Sequence, residues 1–199
     1  MSIIIIEGCD KTFKTTTSKA LLDILSKGGN WEYIKGEHPE TLAQVIERGK
    51  AKIDRFNKEE STNFILDRFE SISDPVYRDL GNEKFDEVCE LKKLTKELAD
   101  TGRRIIVFLH LGESDKILER FVVDKEDNVE HKEERIKEIQ MKYMLGGLAF
   151  NSIKNLLLVP VKVEGKTTEQ IIGEYMTALT GSITNSMISN DEVLERVKE

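Results

Sequence analysis

The chain has 199 residues, of which 39% are hydrophobic and 34% charged, and it carries a net charge of −7. That size and balance suit one domain, residues 1–199, with a sizeable core. The acidic surplus and the lack of a basic stripe argue against a partner made of duplex nucleic acid. No run approaches the ~20 apolar residues that span a bilayer, so no membrane partner is expected, and the opening isoleucines are too few for a signal peptide. Cys9 and Cys89 stand far apart and in no metal spacing, which reads as two reduced thiols in a cytosolic protein.

Residues 3–7 form a continuous apolar run rich in β-branched side chains, the mark of a buried parallel strand. A helix is predicted over 14–27, stopped by Gly28 and Gly29. "WEYIKGE" reads as a second strand, and His38-Pro39 opens a helix over about 40–56. "NFILDRF" is a third strand ending at Asp67, followed by a turn, "SISDPVY", in which Pro75 starts a short helix. A strongly helical run over 84–100 ends at Gly102, and "RRIIVFLHL" is a fourth strand. A short helix over 114–121, a polar charged stretch, and a long amphipathic helix over 132–150 follow. "NLLLVPVKV" is a fifth strand, 167–179 is a helix, and the chain from about Gly181 is polar. Strands alternating with helices argue an α/β three-layer sandwich: a five-stranded, mostly parallel sheet with helices on both faces. Ligands of such sheets sit beyond the carboxyl ends of the strands, where 7–15, 37–39, 67–73 and 110–114 are expected to gather.

The stretch "GCDKTFKTTTSKAL" lies directly after the first strand and fits G-x-x-x-x-G-K-[ST] everywhere except Phe13. In such a loop, backbone N–H groups and the helix N-terminus point at a phosphate. Gly8, Lys11, Thr12, Phe13, Lys14, Thr15 and Thr16 form the expected ATP-binding set. Lys14 reaches the β- and γ-phosphates, and Thr15 offers a hydroxyl to Mg²⁺. Phe13 stands where glycine gives a positive φ, but it keeps the amide that binds phosphate.

Together, "IIIIEGCDKTFKTTTSKAL" and "FILDRFESISDPVY" resemble the thymidylate kinases and related deoxynucleoside monophosphate kinases, particularly the compact forms encoded by bacteriophages. Those proteins carry E-G-x-D-x-x-G-K-[ST]-T after the first strand, and D-R-[FYH] followed by Ser and Tyr after the third. The resemblance spans nearly the full chain. It implies a P-loop nucleoside monophosphate kinase fold and in-line transfer of the ATP γ-phosphoryl to a nucleotide 5′-phosphate, with Mg²⁺. It also implies a cytoplasmic enzyme of nucleotide biosynthesis, in the host cytoplasm if phage-encoded, and a possible homodimer.

Residue by residue, the resemblance assigns Asp10 to the acceptor's sugar hydroxyl. Lys11 takes the place of a catalytic loop arginine. Asp67 serves Mg²⁺ or the acceptor, and Arg68 serves as a phosphate clamp. Glu37 matches loosely a carboxylate after the second strand, and Tyr77 lies near the sugar. The family's Phe-x-x-x-Arg pair that reads thymine has no full match; Arg48 and Arg55 are the candidate arginines, and neither brings the phenylalanine. Arg120 opens a lid expected at about 113–135, in which Arg135 is a weaker candidate. Three rival readings remain at this stage: another P-loop kinase acting on a nucleoside or a polynucleotide end, a catalytically degenerate nucleotide-binding protein, and a helix-rich partner-binding domain.

Overall fold

Four consecutive isoleucines at the chain start have no accessible surface at all. A strand that is apolar on both sides is stable only when both faces of its sheet are covered. The computed structural model describes residues 1–36, 41–123, 132–150, 153 and 155–181, without the side chains of 118, 120–123, 132–133 and 147–150. The strands are β1 (Ser2–Gly8), β2 (Trp31–Ile34), β3 (Asn63–Asp67), β4 (Arg104–Leu111) and β5 (Leu156–Lys162). They form one sheet in the order β2-β3-β1-β4-β5, and every pairing is parallel.

The helices are α1 (Lys14–Leu25), α2 (Leu42–Lys58), α3 (Glu70–Tyr77), α4 (Phe85–Asp100), α5 (Ser114–Val123), α6 (Lys132–Phe150) and α7 (Thr168–Gly181). Ile3 and Ile5 point into a core shared with α2 to α6, while Ile4 and Ile6 point into one shared with α1 and α7. This is the expected three-layer α/β fold, with the alternation of strand side chains feeding both layers. Thr41 starts α2 with a capping box: its hydroxyl accepts from the Gln44 N–H, and the Gln44 side chain accepts from the Thr41 N–H.

Two local expectations are corrected. The second strand ends at Ile34, three residues early, because β2 is an edge strand of half-buried residues. The "SISDPVY" segment is not a turn; it belongs to α3, with Pro75 inside the helix. Proline there removes only the bond to the Ser71 carbonyl, and burial of Ile72 and Val76 outweighs that loss. The sequence near Pro39 and the polar tail after Gly181 lie outside the described residues.

Candidate active site

The turn from β1 into α1 is built by backbone conformations that most side chains avoid. Gly8 has φ 136°, and a Cβ there would sit 2.6 Å from the His110 carbonyl oxygen, so the strand pair closes only over glycine. Phe13, which caps α1, has φ 62° and ψ 15°, the left-handed conformation that glycine usually supplies. A non-glycine residue there costs about 1–2 kcal/mol. Among the described residues, four non-glycines have positive φ, and three of them, Lys11, Phe13 and Arg68, line a single cavity. Strain concentrated in this way marks a site.

That cavity holds about 630 Å³ and is lined by residues 10–16 together with Lys35, Gly36, Asp67 and Arg68. Gly36 passes so close to the Asp67 carbonyl that a Cβ would collide with it. The first turn of α1 opens onto the cavity, and no side chain caps it. A 12-residue helix pointing its N-terminus at a cavity offers amides and the positive end of its dipole to an anion.

Cations crowd this mouth. Lys14 is buried, its ammonium donates to the Cys9 carbonyl, and it lies 3.8 Å from Asp10. Burial first, then the Arg68 charge, lowers the Lys14 pKa to about 8, against the pull of Asp10 and Asp67. Arg68 donates to Asp10 and to the Tyr77 hydroxyl, and its guanidinium lies 4.8 Å from the Tyr77 ring centre. Burial opposes the Arg68 charge, but Tyr77, Asp10, Tyr143 and Glu7 outweigh it, so the pKa rises. Tyr77 is itself held by donating to the Gly8 carbonyl at 3.2 Å, and its ring fixes where Arg68 points.

Opposite Lys14, the Thr15 hydroxyl donates to Asp67 at 2.5 Å, and the Tyr33 hydroxyl donates to the same Asp67 oxygen at 3.3 Å. Thr15 and Asp67 are the hard oxygen donors that suit Mg²⁺, which takes one or two protein ligands plus phosphate and water. Among the described residues, no cluster of three or more His, Cys, Asp or Glu offers an all-protein metal cage.

Beneath the loop lie groups the sequence did not single out. Glu7 is fully buried, accepts from the Phe69 N–H at 2.7 Å and the Tyr143 hydroxyl at 3.1 Å, and so ties β1 to α3 and α6. Burial raises its pKa to about 7, against the Phe69 bond and the Arg68 charge. His110 is fully buried between the Thr12 carbonyl and the Tyr175 hydroxyl. Burial and then the Asp10 charge raise the Cys9 thiol to about 11, which makes it inert. Lys35 at the cavity and Tyr33 beside Asp67 were also missed, because a weakly alternating edge strand announces nothing about which residues face a cavity.

The remaining expected residues fall elsewhere. Arg55 pairs with Glu32 at 2.5 Å and Glu59 at 2.7 Å, and lies over the Phe64 ring. Phe64 is at the start of β3 and Asp67 at its end, about 10 Å apart in an extended strand. Arg55 therefore belongs to the edge of the sheet away from the loop. Arg48 is half-buried on α2 and does not line the loop cavity; one turn on, Lys52 joins α2 to Glu70 of α3 at 2.5 Å. Arg135 donates to the Tyr77 carbonyl at 3.0 Å and to Glu138 at 2.8 Å, bracing α3 against α6. Glu37 lies outside the described residues, as does the side chain of Arg120 in α5.

The sheet is parallel, in the order β2-β3-β1-β4-β5, and the candidate loop follows β1, its central strand. The fold is similar to that of three solved structures. The YorR protein of Bacillus subtilis, solved in complex with phosphorylated GDP, superposes with a TM-score of 0.65 at 19% identity, over 93% of this chain and 99% of that one. Thymidylate kinase from Ehrlichia chaffeensis gives 0.59 at 15% identity, over 89% and 98%. Deoxyadenosine kinase from M. mycoides, with bound dCTP, gives 0.55 at 16%, over 90% and 99%. Likeness at these identities establishes the fold. No protein-family model and no curated protein sequence matches the chain.

Proposed function

We propose that the protein is a single-domain kinase, with a lid at about 113–135, that transfers the ATP γ-phosphoryl to a deoxynucleoside monophosphate, dTMP or a related one. The observation that carries this reading is the convergence of Lys14, Arg68, the α1 N-terminus and the Thr15–Asp67 oxygen pair on one cavity. Phosphoryl transfer asks little covalent chemistry of a protein; positioning and neutralised charge supply most of the rate.

The α1 amides and Lys14 hold the β- and γ-phosphates. Thr15 and Asp67 hold Mg²⁺, which neutralises charge on the transferring group when bound. Arg68, aimed by Tyr77, clamps the acceptor phosphate, and Lys11 adds a second cation at the transfer point. Asp10, which shares Arg68, faces the acceptor's sugar. Arg120 contributes from the lid. The protein acts in the cytoplasm, as a homodimer packed through helices.

A monophosphate acceptor suits the site better than a nucleoside. A nucleoside hydroxyl needs a general base. Of the described carboxylates at the loop, Asp67 is occupied by Thr15 and Tyr33, Glu7 is sealed beneath Phe69 and Tyr143, and Asp10 is engaged by Arg68. A phosphate acceptor is already an anionic nucleophile. The test is ADP release with ATP and Mg²⁺ across the four deoxynucleoside monophosphates and their nucleosides. Turnover with at least one monophosphate is expected. Turnover with nucleosides alone would move the assignment to a nucleoside kinase, and ATP binding without turnover on any of them would make the protein a nucleotide binder.

A further inference from the structure

Register places His110 opposite Gly8, directly under the phosphate loop. Its Nδ1 meets the Thr12 carbonyl and its Nε2 meets the Tyr175 hydroxyl. A carbonyl oxygen only accepts, so Nδ1 carries the proton. Burial, reinforced by the Lys14 charge and only partly opposed by the Thr12 bond, pushes the ring's pKa down to about 3 and keeps it neutral. Nε2 is therefore a bare acceptor, and the Tyr175 O–H donates to it. Tyr175 is fixed in turn by stacking on Phe108, with ring centres 4.0 Å apart and planes 19° from parallel.

We propose that His110, oriented by Tyr175, is a positioning residue that holds the loop in its anion-binding shape with phenylalanine at position 13. In a planar trans peptide the C=O and N–H point in opposite directions. Anchoring the Thr12 carbonyl inward turns the Phe13 N–H outward, toward the cavity that Phe13 lines. The same anchor fixes the rotation leading into Phe13, the residue at φ 62°. Glycine visits that conformation freely, whereas phenylalanine is strained there, and a hydrogen bond to a buried carbonyl is of the same order as the strain. His110 does not line the cavity; it acts through the backbone of Thr12. This inference rests on the reading that the loop holds a triphosphate.

The test is a coupling measurement: calorimetric titration of Mg·ATP into the full chain and its variants, with thermal unfolding alongside. His110→Leu is expected to weaken binding about 10-fold. His110→Asn, which can present an amide N–H near the Nδ1 position, is expected to stay within about threefold of the parent. In a Phe13→Gly background the His110→Leu loss is expected to shrink to less than about threefold, because glycine needs no brace. A purely structural role for His110 moves the melting temperature in both backgrounds but leaves no such coupling. If His110→Leu does not fold, Tyr175→Phe carries the same comparison, since it keeps the Phe108 stack and removes only the hydroxyl. Wild-type binding together with an undiminished His110→Leu or Tyr175→Phe overturns the brace alone, as does an equal loss with and without Phe13→Gly. A wild-type chain that binds no Mg·ATP overturns the site reading and the brace with it. Imidazole nitrogen shifts give a further readout: a proton on Nδ1 from pH 5 to pH 8 supports the brace, and a proton on Nε2 instead contradicts it.

Discussion

The two edges of the sheet use their cations in opposite ways. At the amino edge, Arg103 is buried and donates to the carbonyls of Thr62, Phe56 and Glu59, at 2.6, 2.5 and 2.7 Å. Nearby, Arg55 is neutralised by Glu32 and Glu59. Both lie over the Phe64 ring. These arginines complete the end of α2 and the start of β3. At the carboxyl edge, Lys14 and Arg68 lie close enough for the Arg68 charge to lower the Lys14 pKa, and both line an open cavity. At the amino edge the cations complete the fold; at the carboxyl edge the burial cost falls on Lys14, whose pKa is lowered, beside an Arg68 held by Asp10 and Tyr77 at the rim of the cavity.

The largest expected effect is at Lys14. Lys14→Met removes the cation while preserving chain length, and kcat/KM should fall by about 10³ or more, with the melting temperature little changed. Full activity in that variant would erase the contrast between the edges. Arg103→Ala is its mirror image. The buried carbonyls of Thr62 and Phe56 lose the Arg103 donor, and the part-buried one of Glu59 keeps only the Thr62 N–H, so unfolding free energy should drop by about 2–4 kcal/mol while nucleotide affinity of the folded fraction stays constant. A fall in affinity without a fall in stability would place Arg103 in the wrong class.

Protonation sharpens the comparison further. The Lys14 pKa of about 8 lies below its ordinary value, so the charged fraction falls as pH rises through 8. A polyanion binds the charged form, so Mg·ATP affinity should weaken above pH 8, and binding there should take up protons, read by calorimetry in buffers of different ionisation enthalpy. Glu7 titrates near 7, above its ordinary 4.5, so the stability it contributes is complete below pH 4.5 and is lost as pH rises through 7. Glu7→Gln keeps the shape and removes that loss; a melting temperature about 2–5 °C above wild type at pH 8 is expected, and little gain at pH 5. The smallest effect belongs to Arg55→Ala. Its exposed pairs contribute under about 1 kcal/mol, and no nucleotide affinity should change.

Much of this was legible in the sequence. The order of strands and helices, the all-apolar first strand and the loop-to-helix junction follow from periodicity and from Gly8, Lys14 and Thr15 in their places. Asp67 and Arg68 were legible because they end a strand beside the loop. The position of Arg55 at the amino edge was not legible, because a charge on a helix faces one edge or the other according to its distance along the axis, which spacing to a motif does not supply. Pro75 was read as a helix start, since proline's missing N–H is a local fact while burial of Ile72 and Val76 is a tertiary one. Glu7, His110 and Tyr175 were silent, because a buried polar residue in an apolar strand or helix is told apart from its neighbours only by the partners the fold brings to it.

The most direct test of the central claim is calorimetry of Mg·ATP binding to the wild-type chain beside Phe13→Gly. A phosphate loop that keeps its shape around phenylalanine predicts saturable one-site binding by the wild type, with the glycine variant equal or tighter by up to about fivefold, the strain relieved. No heat from the wild type and restored binding in the glycine variant would show that the ring closes the loop to triphosphate, and would contradict the account.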